Sequence, residues 1–96
     1  MTPEAKVKKK IKEYLDTLPL YYFTPIGSVY GKSGVPDVII CYDGRFIGIE
    51  VKAPGRLNTQ TALQKKSQLS IEAAGGVYLL VDDVKMVRSY FAIRGW

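Results

Sequence analysis

The chain contains no histidine. That absence removes imidazole general bases, histidine-ligated nuclease metals and Ser-His-Asp triads together. Acid–base or metal chemistry here must rest on carboxylates, lysine, tyrosine or water. A single cysteine, Cys41, excludes an internal disulfide and a cysteine-built zinc site. Lying in an apolar run, Cys41 is expected to be a small buried hydrophobe, and a reducing cytosolic compartment fits it. No apolar run approaches the length of a transmembrane helix. The lysine-rich N-terminus is not followed by the apolar segment of a signal peptide, so no membrane partner is expected. Internal repeats and low-complexity segments are also missing.

At 96 residues the chain reads as one small domain spanning 1–96, able to bury about 60–65% of its unfolded surface. Its net charge is +5, which favours a polyanionic partner, nucleic acid above all; the alternative is a solubilising surface.

Thr2-Pro3 has the form of a helix start, with Thr at the N-cap and Pro at the first helical position. The helix is expected to run to about Thr17, with an apolar stripe of Val7, Ile11, Tyr14, Leu15 and Leu18. At roughly 100° per residue, Glu4 falls in the middle of that stripe, either as an inward carboxylate or as a solvated first-turn acid. Lys6, Lys9, Lys10 and Lys12 lie on the other side, as a solvated face or as phosphate contacts. Leu20 to Ile26 reads as a strand, and Gly27 to Gly34 as a loop carrying Tyr30, Lys32 and Ser33. Two apolar runs, Val38-Ile39-Ile40-Cys41 and Phe46-Ile47-Gly48-Ile49, flank Asp43-Gly44, a strong hairpin signal. A loop, Arg56-Leu57-Asn58-Thr59, precedes a helix from about Thr61 to Ala74, stopped by Gly75-Gly76. Val77 to Val81 is a further strand. Asp82-Asp83 can cap a last helix, Val84 to Ile93, with Val84, Val87 and Phe91 on one face. The order α-β-β-β-α-β-α contains one βαβ crossover, expected to be parallel and right-handed.

The hairpin carries the chemistry. Folded about its two-residue turn, paired positions sum to 87, which sets Asp37 opposite Glu50. Period two then puts Lys52 on the same face as Glu50, away from Ile47, Ile49 and Val51. Like charges directly opposed destabilise a ladder, and two carboxylates on such apolar strands call for a counter-charge. Two or three carboxylates with water suit Mg²⁺ or Mn²⁺, and the Val51 carbonyl between Glu50 and Lys52 offers another oxygen. A cation so held activates water and polarises a phosphate, while the Lys52 ammonium orients the water and offsets transition-state charge. The plainer alternative is a structural salt bridge from Lys52 to Glu50 or Asp37.

Gly34-x-Pro36-Asp37, then Glu50-Val51-Lys52, then Gln64 in a helix ending at Gly75-Gly76, resemble the PD-(D/E)XK nuclease superfamily. Within it, the chain resembles a small stand-alone member of the VRR-NUC (virus-type replication–repair nuclease) family, from Glu4 to about Val81. The resemblance implies an α/β fold with a restriction-endonuclease-like core, a mixed central sheet flanked by helices. It implies Mg²⁺- or Mn²⁺-dependent cleavage of DNA in a bacterial cytoplasm or a virus-infected host cell. Metal-ligand roles pass to Asp37 and Glu50, the water-activating role to Lys52, the first-helix acid, a further metal-ligating and catalytic residue, to Glu4, and a helix glutamine to Gln64. Gln60 and Gln68 share the face of Gln64, so the role can slip by a turn. Lys32, Ser33, Arg56, Lys65 and Lys66 flank the site as expected phosphate contacts. Similar small proteins act as homodimers on four-way (Holliday) junctions, and two sites related by a two-fold axis can cut such a junction symmetrically. A flap or nicking endonuclease and a non-catalytic basic DNA-binding module are the alternatives. Leu20-Tyr21-Tyr22-Phe23 and the last helix, ending at Trp96, are candidate dimer surfaces.

Overall fold

The computed structural model describes residues 1–26 and 34–94. Asp43 and Gly44 both take positive φ, 51° and 74°, as a two-residue type I′ turn demands. The turn joins β2 (Val38–Tyr42) to β3 (Arg45–Val51). Their register runs from Tyr42↔Arg45 to Val38↔Ile49, every pair summing to 87 as the sequence predicts. β1 (Tyr21–Phe23) pairs antiparallel with the outer edge of β2, and β4 (Val77–Val81) pairs parallel with β3. The result is a mixed sheet in the order β1-β2-β3-β4.

Two helices cover one face of this sheet. α1 (Pro3–Leu15) and α3 (Val84–Ile93) bring Val7, Ile11, Leu15, Val87 and Phe91 onto Val38, Ile40, Ile47, Ile49, Val51 and Val81. Ten of the side chains on this face are fully or almost fully sealed from solvent, so this is the hydrophobic core. α1 opens as expected: Thr2 Oγ1 accepts from the Ala5 amide at 3.1 Å, and Pro3 is the first helical residue. It stops two residues short of Thr17, because the Thr17 and Leu18 amides bond back three residues, to the Tyr14 and Leu15 carbonyls. Leu18 is accordingly only partly buried.

α2 (Ala62–Ala73) packs on the opposite face, over β3 and β4. Gly48 makes this possible. A Cβ there would lie 2.7 Å from Pro36 Cγ and 3.5 Å from Ile71 Cδ1, so Pro36 and α2 both rest directly on the β3 backbone. Gly34 makes the second close approach. Its φ is +76°, and a Cβ would sit 2.6 Å from the Leu63 backbone, in the first turn of α2.

Three expectations are corrected. β1 is confined to Tyr21–Phe23 rather than Leu20 to Ile26, and Pro25 has no amide to continue a ladder. The Arg56–Thr59 loop contains a short 3-10 helix, Leu57–Thr59. Cys41 is exposed, not buried. It stands on the face that α1 and α3 do not cover, in the row Tyr21↔Cys41↔Phe46, where Tyr21 and Phe46 are also exposed. Tyr30, Lys32, Ser33 and Trp96 lie outside the described residues. No helix among the described residues is long and apolar enough to cross a membrane.

Gly34→Ala meets both a left-handed backbone and a backbone clash. It is expected to lower unfolding free energy by about 2–4 kcal/mol, measured by denaturant titration; a loss under about 0.5 kcal/mol would show that the Gly34–Leu63 approach is not a fixed constraint.

Candidate active site

β3 lies between two partners, so its amides point alternately to each. The Lys52 amide donates to the Val81 carbonyl of β4 at 2.8 Å. The Val51 amide therefore faces the β2 side, where the ladder has already ended at Val38. Asp37 takes it: Oδ2 accepts from the Val51 N–H at 2.8 Å. The aspartate is fixed at the strand end by a backbone donor that nothing in β2 satisfies, and Pro36, wedged over Gly48, holds the approach to it.

Glu50 is 3% exposed and Lys52 7%. The face they share would be open if the sheet stood alone; the N-terminal turn of α2 closes it. Gln64, third residue of that helix, completes a capping box: Thr61 Oγ1 accepts from the Gln64 amide at 3.1 Å, and Gln64 Oε1 accepts from the Thr61 amide at 2.9 Å. The same side chain reaches into the site. Gln64 Oε1 also accepts from Lys52 Nζ at 2.8 Å, and Gln64 Nε2 donates to Glu50 Oε2 at 3.1 Å. Lys52 Nζ donates in addition to the Thr59 carbonyl at 3.2 Å. That accounts for two of its three donors among the described residues. The ammonium is thus held by neutral oxygens rather than tied up in the simple salt bridge that is the plainer reading of Glu-x-Lys.

Gln60 and Gln68 do not share this role. They bond each other at 2.9 Å, and Gln60 donates to the Tyr78 hydroxyl at 3.3 Å. Gln60 precedes α2, and of the three glutamines Gln64 is the one at Glu50 and Lys52.

Glu50 Oε1 is buried and receives no hydrogen bond. Beside Glu50 stands Asp37, itself an acceptor. Burying one carboxyl beside another favours its protonated form, and the shift falls on Glu50. Burial first, then a hydrogen bond shared with Asp37 and the Asp37 charge, push its pKa up to about 9; Lys52 opposes the shift, and Glu4 adds slightly to it. A buried oxygen with no donor, paired with a second carboxylate and a cation held aside, is what a hard divalent ion fits.

The remaining candidates fall around this centre. Of the two places open to Glu4, the structure has the solvated one: it is exposed, in the first turn of α1. Among the described residues no third acidic, histidine or cysteine side chain joins Asp37 and Glu50 as a cluster, so Glu4 bears on Glu50 through its charge rather than beside it. Arg56, Lys65 and Lys66 are exposed, Arg56 at the start of the 3-10 helix and the two lysines next to Gln64 along α2. Sequence reasoning missed the Thr59 carbonyl as a partner of Lys52, since a main-chain acceptor leaves no trace in residue type. It also missed the Thr61–Gln64 capping box, although T-x-x-Q is legible as one.

No family model matches the chain, and no curated protein matches it. A solved structure described as "VRR_NUC domain" is similar at a TM-score of 0.78 and 26% identity, covering 96% of this chain and 97% of that one.

A protonated Glu50 has a stability consequence. Its folded pKa is above the unfolded value of 4.5, so from about pH 4.5 to 9 the unfolded chain gives up a proton that the fold retains, and stability falls as pH rises across that window. Without metal, Glu50→Gln is expected to raise the melting temperature by about 5 °C or more at pH 8, and by less at pH 5. A melting temperature that responds equally at both pH values would sink this assignment.

Proposed function

We propose, from its likeness to a VRR_NUC domain structure over 96% of the chain, that the chain is a member of the VRR-NUC family and a Mg²⁺- or Mn²⁺-dependent DNA endonuclease that hydrolyses phosphodiester bonds, acting as a homodimer on four-way junctions in the cytoplasm. The observation that carries the proposal is the pairing of Asp37 with a buried Glu50 whose Oε1 has no donor, beside a lysine held by neutral acceptors.

Asp37 and Glu50 would hold the cation, with the Val51 carbonyl as a further oxygen, and Glu4 would act on it at longer range. The bound cation supplies a polarised phosphate and a water of lowered pKa. Glu50 would give up its proton on holding the cation, which would couple metal affinity to pH. Among the described residues Lys52 keeps one donor, which would serve the attacking water or a non-bridging phosphate oxygen, and its charge would offset the charge that grows in the transition state. Gln64 fixes the distance between the two. One face of its amide pins Glu50 and the other Lys52, and the capping box prevents the amide from turning. Arg56, Lys65 and Lys66 then meet the flanking phosphates; Lys32 and Ser33, outside the described residues, belong to the same expectation. A net charge of +5 supports a nucleic-acid partner.

A DNA-binding module with a structural ion network is the competing reading. A purely structural network has no reason to keep one buried carboxylate protonated against another, since an apolar pair of the same shape would be more stable.

The test is cleavage of a labelled four-way junction against linear duplex in Mg²⁺ or Mn²⁺. Asp37→Ala and Lys52→Ala are each expected to lower the rate at least about 100-fold with DNA binding retained, and Gln64→Ala about 10-fold. Variants that cleave like the wild type would refute catalysis at this site. Equal cleavage of linear duplex would remove the junction preference while leaving the nuclease.

A divalent cation is expected to raise the melting temperature of the wild type, more at pH 8 than at pH 6 because it competes with the Glu50 proton. Glu50→Gln should abolish that response; no response in the wild type would overturn the metal site.

A further inference from the structure

The Thr59 carbonyl that holds Lys52 belongs to a segment with little of its own to fix it. The 3-10 helix Leu57–Thr59 has no buried residue and no side-chain cap at Arg56. The Thr59 amide and hydroxyl both donate back to the Arg56 carbonyl, at 3.1 Å and 2.7 Å. A single 3-10 turn closed only on itself opens readily. Upstream, the Gly55 amide is tied to Asp82 Oδ2 at 2.9 Å, well before Thr59 is reached. Downstream, the next residue is Gln60, which leaves the turn with an extended backbone. Its side chain reaches α2 and β4. One amide proton goes to Gln68 Oε1 at 2.9 Å and the other to the Tyr78 hydroxyl at 3.3 Å, so both donors of the amide are used. The two anchors are themselves fixed. Tyr78 is 8% exposed and lies opposite Gly48 in the β3–β4 ladder. Gln68 bonds Lys65 and Glu72 within α2.

We propose that Gln60 is a positioning residue for Lys52: through Tyr78 and Gln68 it fixes the Thr59 carbonyl, and that carbonyl aims the ammonium. This rests on the catalytic reading of Lys52 above and adds how its remaining proton is directed. Among the described residues Lys52 Nζ has two acceptors, Gln64 Oε1 at 2.8 Å and the Thr59 carbonyl at 3.2 Å. With one acceptor a tetrahedral ammonium pivots about that contact; with two, the direction of its third proton is set. Gln64 alone therefore holds the cation near Glu50 without aiming it. The longer bond decides the aim, and Gln60 governs it. Gln60 also stands between Thr59 and Thr61, the N-cap whose box fixes Gln64, so releasing its side chain loosens the site at both neighbours. A glutamine serving α2 alone would bond Gln68 and have no need of a strand.

The experiment reads the Lys52 ammonium directly, by nitrogen-15 NMR of lysine side chains in metal-free protein. The signal is assigned by its loss in Lys52→Ala, and DNA cleavage in Mg²⁺ is measured on the same variants. Held by two acceptors, the wild-type ammonium should exchange with water slowly enough to be seen. Gln60→Ala is expected to speed that exchange at least about 5-fold and to lower kcat about 10-fold with KM unchanged. Gln68→Ala should act in the same direction, and the double variant should be no worse than Gln60→Ala, because both remove one path. Val84→Ala, in the core on the other face of the sheet, is the stability control and should leave the Lys52 signal in place. If Gln60→Ala does not fold, Tyr78→Phe removes a single hydroxyl and carries the test, with smaller changes in the same two readouts. A Lys52 signal unchanged in the variant that folds overturns the proposal. So does a wild-type ammonium that exchanges too fast to be seen, an equal effect of Val84→Ala, or faster exchange with the kcat of an active wild type retained. Exchange that quickens in Gln60→Ala while the wild type cleaves nothing upholds the positioning of Lys52 and removes the nuclease reading.

Discussion

The register of the β2–β3 hairpin is the constraint on which the rest depends. Both turn residues have positive φ, so the loop has two residues and the pairing follows. A slip by one position would turn Glu50 and Lys52 into the core and bring Ile49 and Val51 to the surface. The side chains of the core face, nearly all sealed, resist that slip strongly. Asp37 depends on the same register, since its carboxylate is held by the Val51 amide that β2 leaves unpaired.

The second layer of control is the start of α2. Two close approaches, Gly34 to the Leu63 backbone in the first turn of α2 and Gly48 to the Pro36 and Ile71 side chains, bring the Pro36–Asp37 segment and α2 together over β3. Gln64 then serves the helix and the site at once. Its amide completes the cap and also bridges Glu50 and Lys52. Helix nucleation and site geometry are therefore one structural event, and the buried carboxyl pair is built against its own electrostatic preference by the packing around it. That opposition is why the Glu50 pKa is pushed up.

One sheet face thus has two halves of different character. Under α2 it is polar and buried. Beyond α2, among the described residues, it carries the exposed aromatics Tyr21, Phe23 and Phe46. The division follows from where a 12-residue helix runs out over a four-stranded sheet.

Much of this was written in the sequence. The turn at Asp43-Gly44, the sum of 87, the period-two faces of β3, the helix starts at Thr2 and Asp83 and the βαβ crossover are all local rules of backbone geometry, and local rules survive folding. Proximity of Asp37, Glu50 and Lys52 followed from them. What the sequence left undecided depended on neighbours distant along the chain. Glu4 lies on the line of the apolar stripe, but the packing of α1 leaves its first turn in solvent. Cys41 sits in an apolar run, but exposure is set by how far α2 extends. Gln60, Gln64 and Gln68 are equivalent by helical spacing, and only the docking of α2 against Gly34 selects Gln64. Periodicity tells which side chains share a face; which face is covered, and how far, is decided by tertiary packing, because burial is a property of the partner as much as of the residue.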